Sequence, residues 1–506
     1  MQMDIAILFS RSLSGIDSPT VTVEVHISRG LPRFTIVGLP ETAVKESKDR
    51  VRSAILANQF DFPLGRITVN LAPADLPKDG GRFDLAIAVG ILAASGQVRA
   101  SDLHSYEFIG ELALTGELRK LKGVLAIASK VNTASRSLVL PQENASEAAL
   151  IRNLSVLPAN HLLDVCAHLN GERMLVPRPQ EISSNEIKPG YADLIDVVGQ
   201  HQARRALEIA AAGRHNLLMI GPPGSGKTML AERLPGILPP LTEKQALESA
   251  AIASISSQGF DPGKWKLRAI RAPHHTASAI ALVGGGSQPR PGEISLAHNG
   301  VLFLDELPEF QRRVLEVLRE PLESGRICIS RASNQCEFPA DFQLVAAMNP
   351  CPCGYFGSTQ RSCSCSNESI MRYRNRISGP LLDRIDIHLE VNTLPAHELH
   401  RPGQSSEASD IVKERVLRAH NIQQQRSGKP NSKLNRMELE EYCKLEKEHL
   451  DLLETAIENL GLSARAAHRT IRLARTIADL EARSAISTIH LSEALNFRQS
   501  KFPNIY

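Results

Sequence analysis

In the stretch Leu217-Leu218-Met219-Ile220-Gly221-Pro222-Pro223-Gly224-Ser225-Gly226-Lys227-Thr228, an apolar strand runs into a glycine-rich turn. The turn, Gly221 to Thr228, fits the pattern G-x-x-x-x-G-K-[ST], and the residues after it are typical of a helix, which is the context that this motif requires. Glycines let backbone N–H groups curl around a phosphate, and the helix start adds its positive dipole. The stretch therefore predicts a nucleoside triphosphate site in which Lys227 reaches the β- and γ-phosphates and Thr228 ligates Mg²⁺.

A pair of acids supplies the second half of the predicted site. Asp305 and Glu306 follow the apolar strand Gly300–Leu304. Asp305, at the strand end, is placed to hold Mg²⁺ through water, and Glu306 is placed to polarise the attacking water. Together with the glycine-rich turn, the pair predicts a nucleoside triphosphate hydrolase.

Length and composition limit the classes of protein to consider. The chain has 506 residues, which favours about three domains, and its 42% hydrophobic and 22% charged residues are typical of a folded protein. The net charge of +3 excludes a histone-like protein, so any contact with nucleic acid must come from a local patch. The sequence shows neither an apolar run long enough for a membrane helix nor a secretory signal, and we expect a cytoplasmic protein.

Changes in pattern along the chain divide it into three domains and a linker. Residues 1–175 mix strand and helix periodicity, and residues 176–190 are rich in Pro, Ser, Asn and Glu without a clear period. Residues 191–402 alternate helix, strand and loop, which favours an α/β fold with a parallel, doubly wound sheet. Residues 403–506 are helical and poor in strands, with helices predicted at Ile411–Gln425, Arg436–Leu445, His449–Leu460, Ala464–Glu481 and Leu491–Asn496.

Half of the eight cysteines crowd into one short segment. Cys351-Pro352-Cys353-Gly354 and Cys363-Ser364-Cys365 together form the pattern C-x-C…C-x-C, in which the two cysteines of each pair are closer than in most zinc motifs. Four thiolates can complete a tetrahedral, structural Zn²⁺ site with no open position for catalysis. Reduced thiols without a metal are the alternative in a cytoplasmic protein.

Further motifs, taken in chain order, resemble those of the AAA+ ATPases. Val198-Gly199-Gln200 matches the family motif that precedes the first helix, and Asn349 ends a strand where the family places its sensor-1 residue. The segment Leu381-Leu382-Asp383-Arg384-Ile385-Asp386 is similar to the one that carries the arginine finger, which implies that Arg384 reaches a neighbouring subunit's nucleotide. Arg465 falls at the sensor-2 position of a helical lid. The resemblance implies a catalytic set of Lys227, Asp305, Glu306, Asn349, Arg384 and Arg465.

A narrower resemblance, which runs over nearly the whole chain, is to the ComM/YifB family of magnesium-chelatase-like AAA+ ATPases. It rests on the strings Arg271-Ala272-Pro273-His274-His275-Thr276-Ala277-Ser278, Val283-Gly284-Gly285-Gly286-Ser287 and Pro291-Gly292-Glu293-Ile294-Ser295-Leu296-Ala297-His298. This family is described as hexameric helicases that drive branch migration of recombining DNA during natural transformation. The resemblance therefore implies ATP and Mg²⁺ as cofactors, a homo-hexamer, single-stranded and branched DNA as substrates, and recombination proteins as partners.

Two excursions from the α/β pattern are predicted to reach DNA. Lys227 and Asp305 are 78 positions apart, which is long for one helix between neighbouring strands, so we expect an insertion at 274–291. Residues 325–338 alternate like a second, hairpin-shaped excursion. In related ring helicases such insertions line the central channel, which implies DNA contacts at Gly284, Gly285 and Arg331. The alternative for the arginine is an ordinary exposed side chain.

Two adjacent histidines, His274 and His275, lie within the first excursion. They are candidates for catalysis or metal ligation by residue type. Adjacent residues in a strand point to opposite faces, however, so we interpret the two histidines as structural members of the insertion.

The first domain resembles the Lon-protease-like (ribosomal S5 domain 2-like) α/β domain. Arg82, the last residue of Pro77-Lys78-Asp79-Gly80-Gly81-Arg82, takes the position of the Lon nucleophilic serine, and Leu125 takes that of the Lon lysine. Without a Ser–Lys pair there is no activated nucleophile, so a protease is not supported. The resemblance implies a fold kept for assembly or for holding DNA.

Three other functions stay open on the sequence. The Lon-like domain allows a protein-remodelling ATPase, but the expected loop has no aromatic residue followed by Val-Gly. Kinship with the chelatases allows an ATPase subunit for metal insertion into a tetrapyrrole, which needs a large partner subunit. A nucleotide-binding assembly module with little turnover is disfavoured by the intact Asp305, Glu306 and Arg384.

Overall fold

The computed structural model of the chain describes residues 5–38, 44, 46–76, 78, 80–99, 101–179, 190–286, 289–330, 335–358, 361–393 and 406–498. In chain order these ranges form a seven-stranded sheet with helices, a five-stranded sheet with helices, and a group of helices. This confirms the predicted α/β class with C-terminal helices. Among the helices in these ranges, none combines the length and the apolar character that crossing a membrane requires.

The first sheet belongs to residues 5–159. The strands in this part of the chain are β1 (Ile5–Arg11), β2 (Thr20–Ser28), β3 (Arg33–Val37), β4 (Arg66–Ala72), β5 (Tyr106–Phe108), β6 (Glu111–Leu112), β7 (Leu118–Arg119), β8 (Ser137–Pro141) and β9 (Val156–Ala159). Strands β6 and β7 pair only with each other, and the other seven form the sheet. The sheet has the order β3-β4-β2-β1-β5-β8-β9, with β2 antiparallel to both of its neighbours. The helices are α1 (Ser47–Ala57), α2 (Asp84–Ala94), α3 (Val124–Thr133), α4 (Ala145–Ala148) and α5 (Leu162–Asn170).

The burial pattern along each strand and helix shows how it packs in the first domain. Burial alternates along most of β2, so one face of the strand packs on the core. Helix α2 is buried along its whole length, against β1, β2 and α1. Asp84 in its first turn is buried as well, and its carboxylate lies 2.6 Å from Arg50 Nε, which neutralises the charge.

The second sheet carries the predicted nucleotide turn. It is formed by β10 (Leu217–Ile220), β11 (Ile270–Arg271), β14 (Val301–Leu304), β17 (Gln343–Met348) and β18 (Ile387–Glu390). The order is β11-β14-β17-β10-β18, and every pair is parallel. Strands β10, β14 and β17 are buried on both faces, as in a parallel sheet covered by helices. The helices of this unit are α6 (His201–Gly213), α7 (Lys227–Ile237), α8 (Glu243–Ile255), α9 (Ala279–Val283), α10 (Glu293–Leu296), α11 (Arg312–Val317), α12 (Pro321–Ser324), α13 (Asn367–Arg374) and α14 (Gly379–Leu382).

Each predicted excursion contains an antiparallel pair of strands. Strand β12 (Gly284–Gly285) pairs antiparallel with β13 (Arg290–Pro291), and β15 (Arg326–Ser330) pairs antiparallel with β16 (Gln335–Pro339). Gly284 has a φ of +99°, and a Cβ there would lie 2.1 Å from the backbone oxygen of Arg290, so the first hairpin requires glycine at this position. Arg331 lies outside the described residues.

The C-terminal helices agree with the predicted ones to within a few residues at each end. They are α15 (Ser409–Ser427), α16 (Arg436–Tyr442), α17 (Lys447–Leu460), α18 (Ala464–Leu480) and α19 (Thr488–Asn496). Ser463 caps α18 by accepting the Ala466 backbone N–H at 3.2 Å. The apolar faces of these helices share one core with α6 and the second sheet.

The first domain docks onto the second through α3 and α8. One core cluster, drawn mainly from the first domain, includes Ala250 of α8, and the rings of Phe260 and Trp265 pack against that cluster. Beside it, the Ser254 hydroxyl donates to the buried carboxylate of Glu147. The two domains therefore share an apolar core across their boundary.

A buried carboxylate fastens the C-terminal helices to the second sheet. Asp386, directly before β18, is 2% exposed, and its Oδ1 accepts a hydrogen bond from Arg469 Nη1 of α18 at 2.6 Å. Its Oδ2 accepts the Asn216 backbone N–H at 2.9 Å and lies 3.5 Å from His215 Nδ1. Burial acts to raise the pKa of Asp386, but the charges of Arg469 and Arg498 and the interaction with His215 outweigh burial and hold that pKa below its usual range.

We expect Asp386→Asn to lower the free energy of unfolding by about 3 kcal/mol, because Arg469 would be left largely buried without its counter-charge. Since the folded-state pKa of Asp386 is depressed, its contribution is present above the unfolded-state pKa of about 4 and is lost as the pH falls towards the folded-state value. Urea unfolding at a series of pH values measures both effects.

The control for this experiment is Glu440→Gln, which breaks an exposed ion pair with Arg436 and should leave stability unchanged. Equal stability of Asp386→Asn and the wild type at neutral pH would contradict the role given to this carboxylate.

Candidate nucleotide-hydrolysis site

The predicted phosphate-binding turn, residues 221–228, lies between β10 and α7, at the carboxyl end of the second sheet. Gly224 and Gly226 have φ values of +76° and +88°, a left-handed backbone that favours glycine. At Gly221 a Cβ would lie 2.2 Å from the backbone oxygen of Val391, so the turn begins with its backbone against the end of β18. Helix α7 starts at Lys227, and its first, unpaired N–H groups are therefore directed at the turn.

Lys227 links the turn to the neighbouring strand. Its Nζ donates to the backbone oxygens of Gly221 at 2.7 Å and Pro222 at 2.9 Å, and to Asn349 Oδ1 at 3.2 Å. Burial lowers the pKa of Lys227, while the two carboxylates after β14 act in the opposite direction. The ammonium group is thus held at the centre of the predicted site by oxygens that phosphate oxygens can replace.

The two acids after β14 face the first turn of α7. Thr228 Oγ1 donates to Asp305 Oδ2 at 2.8 Å, and the other Asp305 oxygen accepts the Glu306 backbone N–H at 2.8 Å. Hydroxyl and carboxylate oxygens are ligands that Mg²⁺ takes, so Thr228 and Asp305 fit a magnesium ion beside bound phosphates. The structure brings together the phosphate-binding turn, both acids and Asn349.

Glu306 has a partner that no motif indicated. The Oε2 atom of Glu306 lies 2.9 Å from Nδ1 of His275. The ring of His274 packs on the ring of His275, with 4.1 Å between the ring centroids. The prediction that the two histidines point to opposite faces was wrong, because they lie in a turn beyond β11 and not in a strand. Pro273, directly before them, was the available signal, since proline disfavours the interior of a strand.

The two arginines predicted for intersubunit and lid roles meet at one carboxylate. Arg384 Nη2 lies 2.6 Å from Glu323 Oε1, and its Nη1 donates to the Pro380 backbone oxygen at 2.6 Å. Arg465 Nη1 is 3.6 Å from the same Glu323 oxygen. Arg384 is buried and Arg465 is exposed, and within one chain α12 holds both of them. No sequence motif had indicated Glu323.

The predicted motif before α6 contacts the turn from the side. Gln200 follows Val198 and Gly199, and its Nε2 donates to the backbone oxygens of Asn392 at 2.7 Å and Ser225 at 3.4 Å. The side chain therefore bridges the turn and the segment that follows β18.

The four cysteines gather directly after Asn349. Their Sγ atoms all lie within 4.8 Å of one another, close enough for a single metal ion to contact all four. The set is Cys351, Cys353, Cys363 and Cys365.

The Lon-like positions of the first domain carry no serine or lysine. Leu125 is 1% exposed and packs in the apolar cluster around α3, and Arg82 lies just before α2. Neither side chain can serve as a nucleophile or as the base of a Ser–Lys pair.

Three family models match the chain. "Magnesium chelatase, subunit ChlI" matches residues 193–399, "Subunit ChlI of Mg-chelatase" matches residues 23–144, and "Magnesium chelatase, subunit ChlI C-terminal" matches residues 406–498. The first of these ranges contains the whole second sheet with the candidate site, and the last contains the C-terminal helices.

Individual relatives match over nearly the full length. The chain is 52% identical to competence protein ComM of Haemophilus influenzae over 499 residues, which is 98% of each chain. It is 51% identical to the uncharacterised protein YifB of Salmonella typhimurium, over 98% of this chain and 97% of that protein. A shorter alignment, of 182 positions, shows 27% identity to Lon protease 2 of Bacillus subtilis and covers 31% of this chain and 32% of that protein. The chain belongs to the ComM/YifB family of magnesium-chelatase-like AAA+ proteins.

Proposed function

We propose that this chain is an ATP-driven, hexameric DNA motor that promotes branch migration of recombination intermediates during natural transformation. The observation that carries the proposal is the hydrogen-bonded network in which Lys227 contacts Asn349 and Thr228 contacts Asp305. Such a network at the end of a parallel sheet suits phosphoryl transfer. Full-length similarity to a protein named for competence supports the part of the proposal that concerns DNA.

Each member of the network has a role in hydrolysis. Lys227 exchanges its two backbone oxygen partners for oxygens of the β- and γ-phosphates. Thr228 and Asp305 hold Mg²⁺, which when bound neutralises charge on the phosphates. Glu306 orients and polarises the attacking water, and Asn349 contacts the γ-phosphate.

The arginines complete the site in the assembled ring. We assign Arg384 a contact with the nucleotide of a neighbouring subunit. We assign Arg465, which lies in the lid helices, a contact with bound nucleotide as well. Both must first exchange Glu323 for phosphate, and a nucleotide's higher negative charge favours that exchange. Assembly is therefore a condition for full turnover.

The four-cysteine loop, residues 351–365, is assigned a further cofactor. We assign it a structural Zn²⁺ ion, held by four thiolates with no open position for chemistry. The compartment that goes with this proposal is the cytoplasm, where reduced thiols remain available for metal.

The hairpins supply the DNA contacts in this proposal. Gly284 and Gly285 leave one strand of the first hairpin free of side chains, and Arg290 on the opposing strand is exposed. Arg331, in the segment that joins β15 to β16, is assigned a phosphate contact. Because the net charge of the chain is only +3, binding depends on such local cations and weakens as salt rises.

Two other functions have specific support. The similarity to a Lon protease favours a protein-remodelling ATPase, and the family models named for magnesium chelatase favour an ATPase subunit of that kind. Both alternatives keep the same hydrolysis site and differ only in the ligand that stimulates it. Measuring ATP turnover with DNA, with unfolded protein and with neither separates the DNA motor from the protein-remodelling ATPase.

We expect Lys227→Ala to lower ATP turnover by about 100-fold or more, because the buried ammonium group that meets the phosphates is lost. Single-stranded and four-way-junction DNA should stimulate the wild type and fail to stimulate the variant. Steady-state ATPase rates at increasing salt measure both effects, and the DNA stimulation should fall as salt rises.

The matched control is Lys447→Ala, an exposed lysine at the start of α17, which should behave as the wild type. Turnover that DNA does not change would overturn the motor proposal, and stimulation by unfolded protein instead would favour the remodelling function.

His275→Ala should lower kcat by about tenfold and leave the affinity for ATP within about twofold, because the half-exposed Glu306 carboxylate loses the ring that orients it. His275→Gln, which retains a hydrogen-bond donor, should recover part of the rate. Single-turnover and equilibrium binding measurements separate the two quantities. A rise in basal turnover would instead show that the histidine restrains Glu306.

A mixing experiment tests the trans role of Arg384. Arg384→Ala and Lys227→Ala should each be inactive alone, and an equimolar mixture should regain part of the ATPase rate. Recovery is expected because an intact turn from one subunit then meets an intact Arg384 from its neighbour. A mixture as inactive as its components, with both variants folded and assembled, would place Arg384 in its own subunit's site.

A further inference from the structure

The spacing of the four cysteines fits a single ion. Cys351 Sγ lies 3.4 Å from Cys353 Sγ and 3.6 Å from Cys363 Sγ, and the last two are 3.5 Å apart. A disulfide would bring two sulfur atoms to about 2.05 Å. A tetrahedral zinc ion with bonds of about 2.3 Å separates its four sulfur ligands by about 3.8 Å. The spacing therefore suits four ligands of a single ion, and none of the four cysteines forms a disulfide.

Backbone donors surround the sulfur atoms. The Phe356 N–H donates to Cys351 Sγ at 3.3 Å, and the Cys353 N–H donates to Cys365 Sγ at 3.4 Å. The Cys365 N–H donates to Cys363 Sγ at 3.4 Å. Such donors stabilise thiolate charge and fix the orientation of ligands around a metal.

One side of this loop packs on the phosphate-binding turn. Gly354 directly follows the first cysteine pair, Cys351 and Cys353, and has a φ of +85°. A Cβ at Gly354 would lie 2.6 Å from Pro223 Cδ and 3.8 Å from Asn349 Cγ. The loop backbone is thus in direct contact with the turn and beside the residue that accepts from Lys227.

The other side of the loop is held by α13. Arg374 donates from Nε and Nη2 to the backbone oxygen of Pro350, at 3.2 and 3.1 Å, and its guanidinium lies over the Phe356 ring at 5.2 Å. Helix α13 leads directly into α14 and Arg384. The loop therefore lies between the phosphate-binding turn and the segment that carries Arg384.

We propose that Zn²⁺ bound by Cys351, Cys353, Cys363 and Cys365 holds Gly354 against Pro223 and fixes Asn349, so that zinc occupancy sets the affinity of the turn for ATP. The affinity part of this inference rests on the proposed nucleotide site, whereas the metal site itself does not. Since coupling between two sites is reciprocal, bound ATP must strengthen zinc binding by the same factor.

The metal site is tested by elemental analysis of the purified full-length chain. We expect about one zinc ion per chain in the wild type and none in the double variant Cys363→Ser, Cys365→Ser. Ser364→Ala, which changes the exposed residue between those cysteines, is the matched control and should retain its zinc. Iron or no metal in the wild type would overturn the zinc site.

The coupling is tested on one protein, so that a folding defect of the cysteine variant does not decide the result. Wild-type chain is stripped with a chelator, returned to Mg²⁺ and titrated with a fluorescent ATP analogue before and after Zn²⁺ is restored. We expect zinc to lower the Kd for the analogue by about fivefold or more, and saturating ATP to lower the Kd for zinc, measured by competition with the chelator, by the same factor.

The outcomes separate this inference from the proposed function. One zinc per chain with an unchanged Kd would overturn the coupling and leave the metal site standing. Failure of the zinc-loaded wild type to bind the analogue at all would overturn the proposed nucleotide site instead. Lys227→Ala should lose nucleotide affinity and keep its zinc, which shows that the two sites are distinct.

Discussion

The position of β10 between β17 and β18, parallel to both, is the constraint on which the candidate site depends. Leu217 lies in register with Val345 on one side and Ile387 on the other, so the three strands end at the same edge of the sheet. The phosphate-binding turn, Asn349 and the cysteine loop are all continuations of these strand ends. The parallel sheet therefore brings together side chains from distant parts of the chain without any motif that joins them.

Sequence patterns predicted the parts of the site that are local in the chain. The turn at 221–228 and the acids Asp305 and Glu306 are recognisable because a strand, a turn and a helix start are covalently adjacent. The four cysteines are recognisable for the same reason, since both pairs lie in one loop and share one ligand chemistry. The helical C-terminal region followed from its periodicity, although the exact helix ends did not.

Several residue pairs of the candidate site depend on tertiary contacts, which the sequence patterns did not predict. His275 reaches Glu306 only because the chain turns after β11, and Glu323 meets Arg384 and Arg465 only because α12 lies beside both. None of these pairs has a fixed spacing in sequence. The docking of α3 on α8 is likewise invisible in a hydrophobic pattern, which shows that a face is apolar but not what covers it.

The docking of the first domain also affects how the second domain would behave alone. Because Ala250, Phe260 and Trp265 complete the core of the first domain, a chain that began after the linker would expose an apolar patch to water. We therefore expect a chain without the first domain to be less soluble, whatever that domain contributes to activity.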